Sequence, residues 1–439
     1  MIGRHPRSRK AAIVAAAAAV GLCAAAVAAF ATPRTASPYH RLETFARVLS
    51  HIERGYVDEV DGDALIEGAI RGMVRSLDPH SSYMSAEDYR ILKGDTEGRF
   101  GGVGLEVGVQ DGALTVIAPI PGTPAERAGV LPGDRIVAIE GRPTREMAID
   151  EAVRVMRGEI GTEVTIAIGR DQEPEPFELT LTRAQIEVRS IEAELLAPGF
   201  PHVRVRSFQD GTAAEAAELI ERLGREGGRL EGVLLDLRRN PGGLLEESVR
   251  LADLFLAGGQ IVSTRGRGGA VLAEYEARPG SALEDVPLVV AIDGASASAA
   301  EIVAAALRDH GRAMLVGTRT FGKGSVQSII PLDRGAGLKL TVARYYSPSG
   351  DVIQAAGVRP DVLVESLDAP LPDEQTLRLR EMEERELPGA LDVEDREQPA
   401  EEGAPPAQLE DDYQLRIAFQ LLRGVARVGA ARRSGPDDG

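Results

Sequence analysis

Apolar positions change their period several times along the chain, and each change marks a segment. From Tyr39 to Tyr89 they recur at helical spacing. Phe45, Val48, Leu49 and Ile52 form one stripe; Leu65, Ile66, Ile70, Met73 and Val74 form another. A turn at Val60-Asp61-Gly62 separates the two predicted helices. Such a pair cannot bury both stripes alone, so it should dock on the main body or on a second subunit. Between Gly101 and Gln185 the period shortens to that of strands. Strands are predicted at Gly104–Val107, Leu114–Ile117, Arg135–Ile139, Val164–Ile168 and Phe177–Leu181, with short helices near Ala125–Ala128 and Ile149–Met156. Pro121-Gly122, Pro132-Gly133-Asp134 and Glu140-Gly141 supply the turns, giving a small β-rich domain.

From Glu187 to Leu367 strands and helices alternate, the pattern of stacked βαβ units. Strands are predicted at Val233–Leu237, Val286–Ile292 and Ala313–Val316, helices at Leu245–Leu256 and Ala299–Arg308, and β-rich segments at Val326–Ile330 and Leu338–Tyr345. Asp368 to Asp412 then holds sixteen acidic and four basic residues and six prolines, the composition of a solvated linker. Beyond it, Leu415, Ile417, Leu421, Leu422 and Val425 predict an amphipathic helix over Tyr413–Val428 that packs back on the body. The predicted organisation is 1–31, a targeting segment; 32–95, helical; 96–185, β-rich; 186–367, α/β; 368–412, linker; 413–439, helix and tail.

The first segment is basic at Arg4, Arg7, Arg9 and Lys10, then uncharged from Ala11 to Pro33, with Ala29-Phe30-Ala31 as a small-x-small site. It reads as a secretory signal peptide or as an uncleaved anchor. Either places the remainder outside the cytoplasm, in the periplasm or on the outer face of the membrane. Leu22 before Cys23 speaks against lipid attachment. With 439 residues, 43% of them hydrophobic, the chain has material for two to four domains, and wholesale disorder is excluded. A net charge of −18 argues against a nucleic-acid binder. One cysteine excludes a disulfide framework, and six scattered histidines show no metal spacing. Only four of the 50 basic residues are lysine, at 10, 93, 323 and 339. Lysine can act as a base once its pKa is lowered; arginine cannot.

Candidate chemistry gathers at junctions. Asp293-Gly-Ala-Ser-Ala-Ser-Ala-Ala-Glu-Ile302 passes from a strand into a helix through small residues. Ser298 at that helix start is placed as a nucleophile, where amides stabilise developing negative charge. Ser298-Ala-Ala-Glu301 also reads as a capping box. His310 lies roughly 18 Å along the same helix at ~1.5 Å per residue, too far to be the base within one subunit. Lys323, flanked by Gly322 and Gly324, is the alternative base or else a surface turn residue. Gln327 faces the same side, and its amide could orient the lysine. Gly317 to Gly324 falls one residue short of a P-loop, and a strand follows it, which argues against nucleotide binding. The glycine amides of Asn240-Pro-Gly-Gly243 could donate to an oxyanion or simply make a turn. Phe100-Gly-Gly-Val-Gly-Leu105 could hold a peptide carboxylate or be a turn without a ligand.

Taken together, these segments resemble the C-terminal processing peptidases, or tail-specific proteases. The resemblance runs from Tyr39 to Leu367. It rests on Tyr56-Val-Asp-Glu-Val60, Leu77-Asp-Pro-His-Ser-Ser-Tyr83, Gly101–Leu105 with Ala128-Gly-Val-Leu-Pro-Gly-Asp134, Asp236–Gly243, Ser296–Ile302 and Gly317–Gln327. It implies an α/β, crotonase/ClpP-like protease core with an inserted PDZ domain and an N-terminal helical segment. It further implies Ser298 as nucleophile, Lys323 as general base, Gln327 as its orienting residue, and the amides of Gly243 and Ala299 as oxyanion donors. Gly101, Gly102, Val103, Gly104 and Leu105 would bind the substrate carboxylate, and Arg157 would couple PDZ to core. Ala295, Ala300 and Arg239 depart from the family's usual Gly, Ser and Asn. Implied partners are exported proteins with apolar C-termini, a second or further copies of the chain, and an activating lipoprotein adaptor; no metal or cofactor is implied. The rival readings are a catalytically silent PDZ adaptor and a crotonase-type acyl-CoA enzyme.

Overall fold

A computed structural model describes residues 41–171, 173–280, 283–365 and 412–433. The predicted targeting segment 1–31 and the acidic stretch up to 411 lie outside the described residues. The chain divides into two units, 1–73 and 74–439. In the first, α1 (Leu42–Gly55) has no buried residue, and Phe45 and Val48 of its apolar stripe are exposed. Asp61 receives the Asp63 N–H at 2.9 Å and so caps α2 (Gly62–Arg75) at the predicted turn.

The second unit opens with β1 (Ser82–Met84) and α3 (Ala86–Glu97). Helix α3 begins at a Ser85–Asp88 capping box and stops at Gly98, whose φ of 70° is left-handed. Its weak amphipathicity left it merged with the preceding helices in the hydrophobic pattern. β2 (Arg99–Gly102) then leads into the small domain. That domain contains β3 (Leu105–Gln110), β4 (Ala113–Pro119), α4 (Pro124–Arg127), β5 (Arg135–Ile139), β6 (Arg142–Pro143), α5 (Ile149–Met156), β7 (Glu163–Gly169) and β8 (Phe177–Thr182). Its antiparallel sheet runs β3-β4-β5-β7-β8, with β6 on β5. Val116, Ile136, Val164, Ile166 and Ile168 pack with Ala125 and Met156 into a core of its own. β9 (Ala184–Glu187) pairs antiparallel with β2, so entry and exit strands form one two-stranded ribbon.

Next come β10 (Ile191–Ala197), β11 (Phe200–Val205), α6 (Thr212–Glu226), β12 (Val233–Asp236), α7 (Leu245–Asp253), β13 (Gly259–Arg265), β14 (Val271–Ala277), β15 (Leu288–Ile292), α8 (Ala299–Asp309) and β16 (Met314–Gly317). β17 (Ser325–Pro331), β18 (Gly337–Tyr346), β19 (Val362–Leu363) and α9 (Tyr413–Arg433) complete the chain. The main sheet runs β10-β11-β12-β15-β16-β19 and is parallel from β11 onward. Both faces are covered. Val233, Leu235, Val290 and Ile292 pack with α6, α7 and α8, whereas Leu234, Val289 and Val316 pack with Ala418 and Leu422 of α9. That two-sided burial explains the unbroken apolar runs of β12 and β15. A second, antiparallel sheet runs β1-β18-β13-β14, with β17 on β18.

A buried ionic cluster fixes the start of α9. Asp236, fully buried, accepts Arg238 Nε at 2.9 Å and Nη2 at 2.8 Å, and His202 Nε2 lies 3.4 Å away. Arg238 also donates to Asp412 at 2.6 and 2.8 Å. Burial disfavours charge on Asp236, but the hydrogen bonds from His202 and Arg238 and the arginine's charge outweigh it. The carboxyl is held well below its ordinary range. Removing Arg238 strands that carboxylate. Arg238→Met should lose about 3 kcal/mol of stability at neutral pH. Asp236 stabilises the wild type above its unfolded value of 3.8 and less as pH falls below it. The difference between the two proteins should therefore shrink on acidification, as read by urea unfolding at a series of pH values.

Candidate active site

Two loops meet beyond the C-terminal ends of neighbouring parallel strands β12 and β15, where α/β sheets place their sites. Side-chain and backbone bonds tie them together. The Arg239 N–H donates to Asp293 Oδ1 at 2.9 Å, and the Ser296 hydroxyl donates to the Leu237 carbonyl at 2.8 Å. Ala297 N–H donates to the Asn240 carbonyl at 2.9 Å. Asn240, fully buried, uses its amide twice: Nδ2 donates to the Val205 carbonyl and Oδ1 accepts Gly242 N–H, both at 2.8 Å.

Ser298 stands at the head of α8 with φ 55° and ψ −113°. An ordinary helix cap sits in the extended region, so this backbone is strained. The surrounding fold holds it there. A β-carbon on Gly242 would lie 2.8 Å from the Ser298 β-carbon, and Gly242 itself has φ 102°. Among the described residues neither the Gly243 nor the Ala299 N–H donates to a protein acceptor. Ala299 follows Ser298 directly, Gly243 follows the Gly242 that packs against it, and Ser298 is 8% exposed.

Glu301 joins this corner to the Lys323 loop. Its carboxylate is fully buried and has four donors. Oε2 accepts the Ser298 and Lys323 N–H groups, each at 2.8 Å. Oε1 accepts Gly322 N–H at 2.8 Å and the Thr320 hydroxyl at 2.5 Å. One oxygen thus draws the backbone nitrogens of Ser298 and Lys323 to within twice a hydrogen-bond length of each other. Burial pushes this carboxyl up to about 7, against the opposing pull of its four donors. Phe321 N–H adds a further tie to the Ser296 carbonyl at 3.0 Å. Gly324 lies so close to Gln354 that a β-carbon would sit 2.2 Å from its backbone nitrogen.

Lys323 is half-buried, and Gln327 follows on β17. Gln327 Nε2 donates to Ser325 Oγ at 2.8 Å and reaches Thr341 Oγ1 at 3.5 Å. Thr341 in turn donates to Asp78 Oδ1 at 3.1 Å, so the Leu77–Tyr83 motif braces the strand beside Gln327. His310 lies at the other end of α8, with Nε2 2.7 Å from the Gln260 carbonyl. In the small domain, Gly101 and Gly102 are strand residues paired with Gln185 and Ala184. The loop proper is Val103-Gly104, and Leu105 opens β3. Gly104 has φ 80°, and a β-carbon there would overlap Thr123. Arg157 follows α5. It pairs with Asp95 of α3 at 2.7 Å and stacks 3.9 Å over the Phe100 ring, at the β2–β9 ribbon. Glu301 and Asp78 were not singled out in the sequence. The fourth position of the capping box was the signal for the first.

Residues 201–364 match peptidase family S41, 115–170 match the PDZ domain, and 23–88 match the activating protease CtpB N-terminal domain. A carboxy-terminal-processing protease of Bartonella bacilliformis is 40% identical over 88% of this chain and 89% of its own length. The chain belongs to the carboxy-terminal-processing peptidases. Carboxy-terminal processing protease CtpA of Bacillus subtilis is 35% identical over 75% of this chain and 70% of its own. A solved photosystem II D1 C-terminal processing protease is 29% identical, covering 73% of this chain and 92% of its own, with a TM-score of 0.47. This family member is therefore a serine protease of mixed α/β fold, with an S41 core, a PDZ domain and N-terminal helices. Among the described residues no helix is long and apolar enough to cross a membrane.

Glu301→Gln keeps the shape but turns an amide donor toward groups that are themselves donors. Peptide cleavage should fall by about a hundredfold, the scale of a 1 Å misplacement in an active site. Because Glu301 titrates higher in the folded state, folding takes up a proton between the ordinary value of 4.5 and about 7. Its contribution to stability is full below that window and fades as pH rises through it. The variant should lack this slope in thermal melts across the same pH range.

Proposed function

We propose that this protease cleaves peptide bonds near the C-termini of exported proteins, using Ser298 as nucleophile and Lys323 as general base. The observation that supports this reading is the Glu301 oxygen shared by the Ser298 and Lys323 amides. A neutral Lys323 amine takes the Ser298 Oγ proton as Oγ attacks the substrate carbonyl. The Gly243 and Ala299 N–H groups receive the resulting oxyanion. Lys323 returns the proton to the departing amine, and water then hydrolyses the acyl-enzyme by the same route. With Gln327 Nε2 occupied by Ser325, its carbonyl oxygen is the atom left to orient the lysine.

The PDZ domain takes the apolar tail of the substrate. The amides around Val103-Gly104 receive the carboxylate and the peptide adds a strand beside β3, with Gly101 and Gly102 shaping the approach. Arg157, bonded to Asp95 and stacked on Phe100, couples that event to the core. Export by the N-terminal segment, self-association and an activating lipoprotein complete the proposal. The strained Ser298 backbone and the Gly243 and Ala299 amides, which have no acceptor among the described residues, favour catalysis over a silent adaptor.

The test is cleavage of an unfolded reporter with an apolar C-terminal tail. Wild type should cut it, and Ser298→Ala and Lys323→Arg, both folded, should each fall at least ~10³-fold. Cleavage by Lys323→Arg at the wild-type rate would overturn the assignment of the base.

A further inference from the structure

The face of β18 that carries Thr341 extends past Gln327. Residues two apart on a strand share a face, and so do directly paired neighbours. Thr341 pairs with Gln327, and Lys339 pairs with Ile329 on one side and Ser82 on the other. The bulge in this ladder lies before Gln327, so the register from there to Ile329 is regular. Gln327, Ile329, Thr341 and Lys339 therefore stand on one side of the sheet.

Lys339 is an unusual residue to find there. It is half-buried, and lysine is rare in a chain that writes most of its cations as arginine. Burial lowers its amine below the ordinary lysine range, against the opposing pull of the Asp78 charge. Among the described residues its ammonium makes no hydrogen bond and no ion pair. Asp78 does not need it. That carboxylate already accepts the His80 and Ser81 N–H groups at 2.8 Å, the Ser81 hydroxyl at 2.7 Å and the Thr341 hydroxyl at 3.1 Å. Ile329 beside it is 41% exposed, an apolar flank with no cover among the described residues. The Asp78 charge acts on it without a direct bond, so this partly shielded ammonium keeps its hydrogen-bonding positions for an incoming anion.

We propose that Lys339 forms a specificity subsite that accepts a carboxylate of the substrate peptide, a few residues along from the bond that Ser298 attacks. This rests on the proposed function, in which Gln327 orients the Lys323 base and the reacting bond therefore lies on the Gln327 side of the sheet.

Binding, not turnover, tests it, so the outcome does not depend on the dyad. The full chain carrying Ser298→Ala is titrated with labelled peptides that share one apolar tail and carry Glu, Gln or Lys at successive upstream positions. A parallel set has amidated C-termini. At one position Glu should bind roughly tenfold or more tighter than Lys. Adding Lys339→Arg should preserve that order, and adding Lys339→Glu should reverse it. If amidation rather than the side chain abolishes the Lys339-dependent difference, the carboxylate is the peptide's own terminus. Equal binding of every peptide, or an order unchanged in Lys339→Glu, would overturn the proposal. A failure of the Ser298–Lys323 assignment appears separately, in the cleavage of the reporter.

Discussion

A single buried carboxylate carries the geometry of the candidate site. Glu301 sits one turn into α8, out of reach of water, and all four of its donors come from two segments: the head of its own helix and the loop from Thr320 to Lys323. Leaving it without those donors would strand a charge in a low-dielectric interior, so neither segment can drift. The strain at Ser298 is tolerable only because this bond and the close approach of Gly242 over-determine its backbone.

The rest of the core makes that corner stiff. Helix α8 is buried along nine consecutive residues, most of them alanine, and leaves little room to shift. The loop that presents Gly243 is fixed by Asn240, whose side chain ties it to β11. The same loop begins at Asp236 and Arg238, which hold Asp412 at the head of α9. The loop that carries Gly243 and the docking of the C-terminal helix thus depend on one buried ionic cluster. Function placed on such rigid elements is more precise than function on free loops.

Much of this was legible in the sequence. The βαβ alternation, the β-rich insert and the amphipathic C-terminal helix follow from period and turn residues, because those depend on local spacing. Ser298, Lys323 and Gly243 stood out because small residues and a rare lysine mark them. Other features were not legible because they depend on partners distant in sequence. Gly101 and Gly102 read as loop, yet pairing with Gln185 and Ala184 makes them strand. Ser298-x-x-Glu301 reads as a local cap, yet three of the four bonds to Glu301 come from Thr320, Gly322 and Lys323. The brace from Asp78 to Thr341 spans 263 positions, which no local pattern records.

The central claim is that Ser298 is a nucleophile made reactive by Lys323. The most direct measurement is labelling with a fluorophosphonate, which a reactive serine oxygen attacks with loss of fluoride, followed by peptide mass mapping. The account predicts one adduct, on Ser298, in the wild type and its loss in folded Lys323→Arg. Labelling of Ser298 at an undiminished rate in Lys323→Arg, or labelling of another serine in its place, would contradict it.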